Sequence, residues 1–322
     1  MSIENADFEV VLQEALTERD DVLQAKELPE IVIDQALPIE VQNDPNIEEV
    51  EYGMTSIHGS LDRGALGNKT NSIETLDADI EMFKAPWFDW ALAAIWTEKE
   101  VAKIAKIGID AIKFKQDALF NTAMHTIQKG GFLGHVQAKG QVGLLNSGSV
   151  TISKTYNKTL KEMTAQEAID LVLHAYGTVW KRSGYRSPPT GIAFDAEDYM
   201  ELVSKFDTGG AVVGLDLLPL SAMDKIMAAL RKASDNQNLQ LEFIMVPSNF
   251  ARDINKGKTR MVVYTKHEDC VSMRVYNPTL VPARQRDLMT YDCAYVAGFS
   301  GAMWKQPLSA TYVEYKTSVD TP

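Results

Sequence analysis

The side chains able to do chemistry are few and scattered. Five histidines occur: His58, His125, His135, His174 and His267. No two of them stand three or four residues apart, the step that presents two imidazoles to a metal from one helix face. The two cysteines, Cys270 and Cys293, are far from each other. A disulfide framework in a chain of this size needs more, so both read as reduced packing thiols. Spacing leaves open only a metal site assembled from distant segments. Gly64-Ala65-Leu66-Gly67-Asn68-Lys69-Thr70 has the glycines of a phosphate loop. It lacks Gly directly before Lys, and a strand pattern follows where that motif needs a helix. It reads as the tip of a hairpin. There is no Gly-x-Ser-x-Gly elbow and no His-Glu-x-x-His pair. Most Asp and Glu lie near the N-terminus or on polar helix faces, where solvation is their ordinary role. The expectation is therefore no catalytic, cofactor-binding or metal-binding residues, no cofactor, and no enzyme.

Charge distribution says more. The 322 residues carry a net charge of −12. Residues 1–51 hold fifteen Asp and Glu against Arg19 and Lys26, a net of −13, leaving thirty bases against twenty-nine acids in the remainder. A near-neutral body with an acidic leader does not suit a protein that lives by phosphate contacts. Hydrophobic residues at 45% and charged residues at 24% suit a core-forming chain. No apolar run reaches the ~18 residues of a membrane span. Met1 to Asp7 lacks the blocks of a signal peptide, so the expected compartment is a cytoplasm, with no membrane partner.

The elements follow from periodicity. Phe8, Val11, Leu12, Ala15 and Leu16 form an amphipathic stripe. Pro29, Pro38 and Pro45 then punctuate short β-branched runs such as Ile31-Val32-Ile33. This predicts an extended arm whose apolar side chains need a surface from elsewhere; a disordered acidic tail is the alternative. Residues 50–90 predict a long β-hairpin with a Gly-rich tip. Arms of ~15 residues reach ~50 Å and cannot easily cover both their own faces. Thr97-Glu98-Lys99-Glu100 opens a helix as a capping box, expected to stop near Lys129-Gly130-Gly131. Further capped helix starts stand at Thr164, Asp195 and Ser221. Strand patterns cover residues 191–194, 239–246, 260–265, 270–276, 290–297 and 309–315. Trp87, Trp90 and Trp96 cluster before the long helix and predict core or subunit contact.

This order of elements resembles the major capsid proteins of tailed bacteriophages, with the Hong Kong 97 fold. Glu51-Tyr52-Gly53-Met54 is similar to the start of that family's extended loop. Residues 80–94 lead into its spine helix, and Gly143-Leu144-Leu145-Asn146 resembles the turn after it. Met261 to Asp269 with Val271 to Pro278 resembles its late β-hairpin, and Gly298 to Tyr315 its final strands. The resemblance covers nearly the whole chain from about residue 28. Residues 129–141 depart as a longer insertion, and residues 1–27 match nothing in the family.

The resemblance implies an α+β fold of this type: N-terminal arm 1–49; extended loop 50–90; peripheral domain 91–155 with its spine helix at about 97–128; axial domain 156–258; and a β return, 259–322, completing both. It implies a head protein that self-assembles into an icosahedral shell around double-stranded DNA. Its partners would be other copies of itself in hexamers and pentamers, a separate scaffold, a portal, decoration proteins, and packaged DNA contacted non-specifically. An encapsulin-like nanocompartment and a soluble α/β enzyme are the alternatives. Candidate contacts between copies are Phe8, Leu12, Ile31, Ile33, Tyr52, Met54, Arg63, Leu66, Lys69, Phe83, Trp87 and Trp90. Deleting residues 1–45 is expected to leave a soluble fold and to abolish or misdirect shell formation.

Overall fold

The structure is a computed structural model that describes residues 29–58, 77–105, 111–185, 188–206, 221–234, 241–247 and 249–318, with backbone only for 54–58, 77–80, 104–105 and 111. The chain divides into two units, Met1–Glu30 and Ile31–Pro322. Every element described lies in the second.

That unit begins with residues the sequence assigned to a free arm. Val32, Ile33, Ala36 and Leu37 are all buried in the chain's own core. A short helix, α1 (Ile33–Ala36), replaces the extended run expected there. The Val32 N–H donates to Gln128 Oε1 at 2.7 Å, and Tyr264 donates its hydroxyl proton to the Ala36 carbonyl. Strand β1 (Ile39–Val41) then pairs in parallel with β9 (Val271–Asp287), Ile39 opposite Met273. The boundary of the arm is therefore corrected. From Ile31 onward the leader is an integral layer of its own subunit, and Ile33, 1% exposed, is not available to another copy. The reason is a seat in the long helix: a Cβ on Gly131 would stand 2.4 Å from Ile33 Cδ1.

Two larger sheets form the body. The first runs β1-β9-β10-β4, with β10 (Thr290–Phe299) antiparallel to both β9 and β4 (Phe88–Thr97); β11 (Met303–Trp304) pairs with β9. The second runs β5 (Ile152–Thr155), β12 (Ala310–Lys316), β8 (Lys258–Tyr264), β6 (Gly191–Asp195), β7 (Glu242–Val246). Strands β8 and β12 serve two cores at once. Val262, Tyr264, Ala310 and Tyr312 point into one with Phe132, Leu144 and Phe299. Met261, Val263, Val313 and Tyr315 point into the other. Side chains alternate across a strand, so a central strand buried on both faces reads as an unbroken apolar run. This corrects the late hairpin expected from residues 261–278. Strand β8 joins β12 and β6, while β9 turns at Leu288-Met289 to pair with β10.

The second core is closed by three helices: α4 (Ala165–Arg182), α5 (Ala196–Ser204) and α6 (Ala222–Ser234). All three start where the sequence predicts. Thr164 and Glu167 form a reciprocal capping box, with bonds of 3.2 and 3.0 Å. Asp195 accepts from the Glu197 N–H at 3.0 Å, and Ser221 Oγ from the Asp224 N–H at 3.1 Å. Each cap satisfies backbone donors that the helix itself leaves open.

Where the sequence predicts one long helix, two are described, α2 (Glu98–Ala105) and α3 (Ala111–Leu133). Its expected stop at Lys129-Gly130-Gly131 is also corrected. Gly130 and Gly131 are helical, and chain reversal comes at Gly134, φ +71°, the left-handed conformation that favours glycine. A Cβ on Gly130 would lie 2.0 Å from Phe299 Cε2. The two glycines admit neighbours rather than end the helix. The last carbonyls are taken by the turn recognised in the sequence. Leu144 N donates to Gly131 O at 2.8 Å, Leu145 N to Phe132 O at 3.0 Å, and Asn146 Nδ2 to Leu133 O.

Candidate assembly surfaces

Strands β2 (Glu49–His58) and β3 (Asp77–Pro86) form a two-stranded antiparallel ribbon, Glu49 opposite Pro86 and His58 opposite Asp77. Ten residues per strand span ~33 Å at ~3.3 Å per residue. The ribbon pairs with neither larger sheet. Its base is anchored: Val50, Ala85 and Trp87 pack with Met303, and the Trp87 indole N–H donates to Asp89 at 2.8 Å. A Cβ on Gly298 would stand 2.6 Å from Trp87 Cζ2. Trp87 therefore fastens the ribbon to its own body, which corrects its assignment as a contact between copies. The expected loop boundary at residue 90 moves as well, because Phe88–Thr97 is a body strand.

Beyond the base, one face is aromatic. Tyr52 lies opposite Phe83, their rings stacked 5.8 Å apart at 25°. Tyr52 is half-buried, and that burial raises its hydroxyl pKa above the usual value. Phe83 is 37% exposed and Met82 61%. Lys84 joins Glu49 at 2.8 Å and Glu51 at 3.2 Å, a solvated cluster worth little to stability. A two-stranded ribbon is marginal alone in water, and its open edges are pairing templates.

Of the other expected contacts, Ile31 and Trp90 are half-buried against their own core. Met54 lies in β2, with only its backbone described. Phe8, Leu12, Arg63, Leu66 and Lys69 lie outside the described residues. The sequence reading missed other exposed apolar side chains. Leu92 and Leu280 flank Tyr295 from the two neighbouring strands, and Phe120 meets Tyr295 edge-on at 6.0 Å. All three are exposed. Met200 and Val203 on α5, Phe206 just beyond it, and Met245 on edge strand β7 are exposed as well. Half-exposed apolar residues in regular elements carry the same sequence signal as core, which is why periodicity did not separate them.

The buried polar groups are structural. Arg260 reaches Glu314 at 2.5 Å and the Leu145 carbonyl at 2.7 Å, with its guanidinium over the Tyr312 ring. Burial raises the Glu314 carboxyl, but Arg260 and its other partners outweigh that and hold it below the ordinary range. Tyr315 donates to Asp198 Oδ2 at 2.6 Å. Desolvation pushes the Asp198 carboxyl up to about 6, and Arg252 pairs with nearby Asp195 and Glu197. Both cysteines are free and buried, and burial pushes their thiols up, away from reactivity. Among the described residues, no group of three or more His, Cys, Asp or Glu is placed to hold a metal, and no helix is long and apolar enough to cross a membrane.

Comparison with known proteins agrees with this architecture. Residues 63–315 match the family model described as major capsid protein. Among solved structures, the capsid of Myoviridae phage XM1 superposes with a TM-score of 0.77 at 15% identity, covering 94% of this chain and 97% of that one. A structure from Mycobacterium phage Bobi gives 0.64 at 10% identity, covering 96% and 98%. The capsid of a native GTA particle gives 0.63 at 10%, covering 94% and 96%. No curated protein matches. At such identities the likeness is one of fold, and it bears out the α+β, Hong Kong 97-type architecture expected from the sequence. The match to the family model over most of its length shows that this chain belongs to the major capsid protein family.

Proposed function

We propose that the chain is the principal shell subunit of a tailed-phage head, closing as hexamers and pentamers around double-stranded DNA. It would be assembled in the bacterial cytoplasm with a separate scaffold and a portal, and would do no catalysis of its own. The observation that carries this reading is the β2–β3 ribbon. Its base is fastened by Trp87, while Met82 and Phe83 stand exposed and neither larger sheet covers its edges. A neighbouring subunit offers the missing cover, through strand addition or through apolar contact. The sheet bearing Leu92 and Leu280 fits a peripheral domain, and the helices with the second sheet fit an axial domain around residues 156–258. Interfaces of ~1,600 Å² or less can each be weak, because closure multiplies them.

The test is negative-stain microscopy of the expressed protein, with Met82→Ser/Phe83→Ser beside it. Regular shells from the parent, lost in the double variant while its subunit melts unchanged, are the expected result. A parent that stays a small oligomer under all assembly conditions, or a variant that assembles normally, would refute the ribbon's role.

A further inference from the structure

Two grooves meet at the loop between β7 and β8. One, of about 830 Å³, is lined by Lys256, Lys258 and Lys316 together with Arg252. The other, of about 470 Å³, is lined by Lys129 and Lys139. They share Asn249, Arg252 and Asp253, so they form one continuous track. Its six cations face two carboxylates, Glu197 and Asp253. Counting the lining side chains alone, that is a net of +4, with Asp195 standing behind Arg252 at 3.2 Å, in a body whose thirty bases and twenty-nine acids nearly cancel. Both carboxylates are occupied: Glu197 by Arg252, and Asp253 by the Gly257 N–H. Lys258 leans on Glu314 at 3.6 Å. Lys129, Lys139, Lys256 and Lys316 are exposed, and among the described residues none closes an ion pair.

The track is also preformed. Asn249, Asp253 and Lys256 all adopt left-handed backbone angles, φ +56°, +52° and +46°. Such residues persist where the surroundings hold them. Here the loop is held by Arg260 N to Ala251 O at 2.9 Å and Thr317 N to Gly257 O at 3.0 Å. The four lysines come from four segments: the end of α3, the 134–142 loop, the 249–257 loop, and the end of β12. A single small anion would engage one or two of them. A row of phosphates would engage all four.

We infer that this track is where the subunit holds the phosphate backbone of duplex DNA, without reading its sequence. The inference rests on the shell reading above, since it takes the DNA to be the enclosed genome. It has its own signature in salt dependence. Each phosphate neutralised by a lysine releases counterions, and the logarithm of affinity falls with the logarithm of salt by about 0.9 per contact. Four contacts predict a loss on the order of a hundredfold between roughly 50 and 200 mM salt.

The experiment is fluorescence anisotropy of the full-length protein with a labelled duplex of about 20 base pairs across that salt range. It compares the parent with Lys129→Gln/Lys139→Gln/Lys256→Gln/Lys316→Gln, and with Lys99→Gln/Lys103→Gln outside the track. Circular dichroism and microscopy check folding and shell formation in each. The expected result is a slope smaller by about three to four units in the quadruple variant, unchanged in the control pair, and indifferent to DNA sequence. Equal slopes in parent and quadruple variant would overturn the inference. So would a track that binds polyglutamate and leaves DNA free, which would mark it for an acidic protein. If the variant still builds shells in either case, the DNA assignment fails while the assembly reading stands.

Discussion

Truncating the chain before residue 29 and truncating it before residue 46 should have very different consequences for the folded subunit. The second cut removes α1 and β1. Ile33 and Leu37 are at most 1% exposed, and Val32 is 8% exposed. A fully buried aliphatic side chain contributes about 1.5–3 kcal/mol, so these three represent about 4.5–9 kcal/mol by that scale. The void left against Gly131 and Met273 adds to the loss. So does the backbone pairing of β1, including Met273 N to Pro38 O at 3.0 Å and Gln42 N to Val275 O at 2.8 Å. Domain stabilities are about 5–15 kcal/mol. The longer truncation should therefore fail to fold or be severely destabilised, against the expectation from sequence that it stays soluble and merely loses assembly. The shorter one leaves α1 and β1 in place. Ile33→Ala in the full chain offers a graded version, with an expected loss of about 2–5 kcal/mol. The assay is urea unfolding of dissociated subunits, followed by tryptophan fluorescence. Equal midpoints for the two truncations, or an Ile33→Ala loss under about 0.5 kcal/mol, would refute this placement of residues 31–41.

Three further predictions concern buried groups. The folded pKa of Asp198 is raised from 3.8 to about 6, so its contribution is fully present below the unfolded value and is lost as pH rises through the folded one. Ionised Asp198 then costs up to about 3 kcal/mol near neutrality. Asp198→Asn, which can still accept from Tyr315, should become progressively more stable relative to the parent between about pH 4 and 7; parallel pH profiles would sink the argument. Arg260→Ala strips Glu314, 1% exposed, of its main counter-ion and should cost about 3–5 kcal/mol. Arg260→Met/Glu314→Leu should recover most of that, and a double variant no better than the single would mean the charge pairing is not the cause. Gly143→Ala would place a Cβ 2.2 Å from the Phe132 backbone, which has no rotamer to yield. A lowered urea midpoint, by about 1–3 kcal/mol or more, is expected, and an unchanged one would show the turn is looser than drawn.

What the sequence revealed and what it hid divide by range. The starts at Thr164, Asp195 and Ser221 were legible because a cap is a bargain between a side chain and a backbone two or three residues away. The Gly-Leu-Leu-Asn turn was legible as a pattern, though its task of receiving the helix carbonyls was not. The errors all depended on distant partners. Val32 finds Gln128, Glu40 finds Arg274 at 3.0 Å, and Gly130 makes room for Phe299. A glycine that permits a close approach and a glycine that ends a helix are the same letter. Residue 134, at φ +71°, ends it; residues 130 and 131 do not. Strand β8, buried on both faces, offered no alternation to say which neighbour it pairs with, so its pairing with β9 rested on the family resemblance alone.

The assembly surfaces were the least legible part, for a reason that belongs to shells in general. An apolar side chain announces that something must cover it, and says nothing about which chain does so. Ile33 and Phe83 were equal candidates on that signal. Ile33 is covered from within, because Gly131 leaves space and Gln128 fixes the backbone beside it. Phe83 stacks on Tyr52 across the ribbon yet stays 37% exposed, and Met82 on the same strand is 61% exposed. Trp87, four residues beyond Phe83, shows where the change occurs. It is sealed against Gly298 and Met303, so the line between what the subunit covers itself and what it leaves exposed runs between residues 83 and 87. On the proposed reading, a ribbon rooted at its base and exposed beyond it gains its cover from a neighbouring copy. Rooting at the base and exposure beyond it are together the physical form of a subunit that is finished by its neighbours.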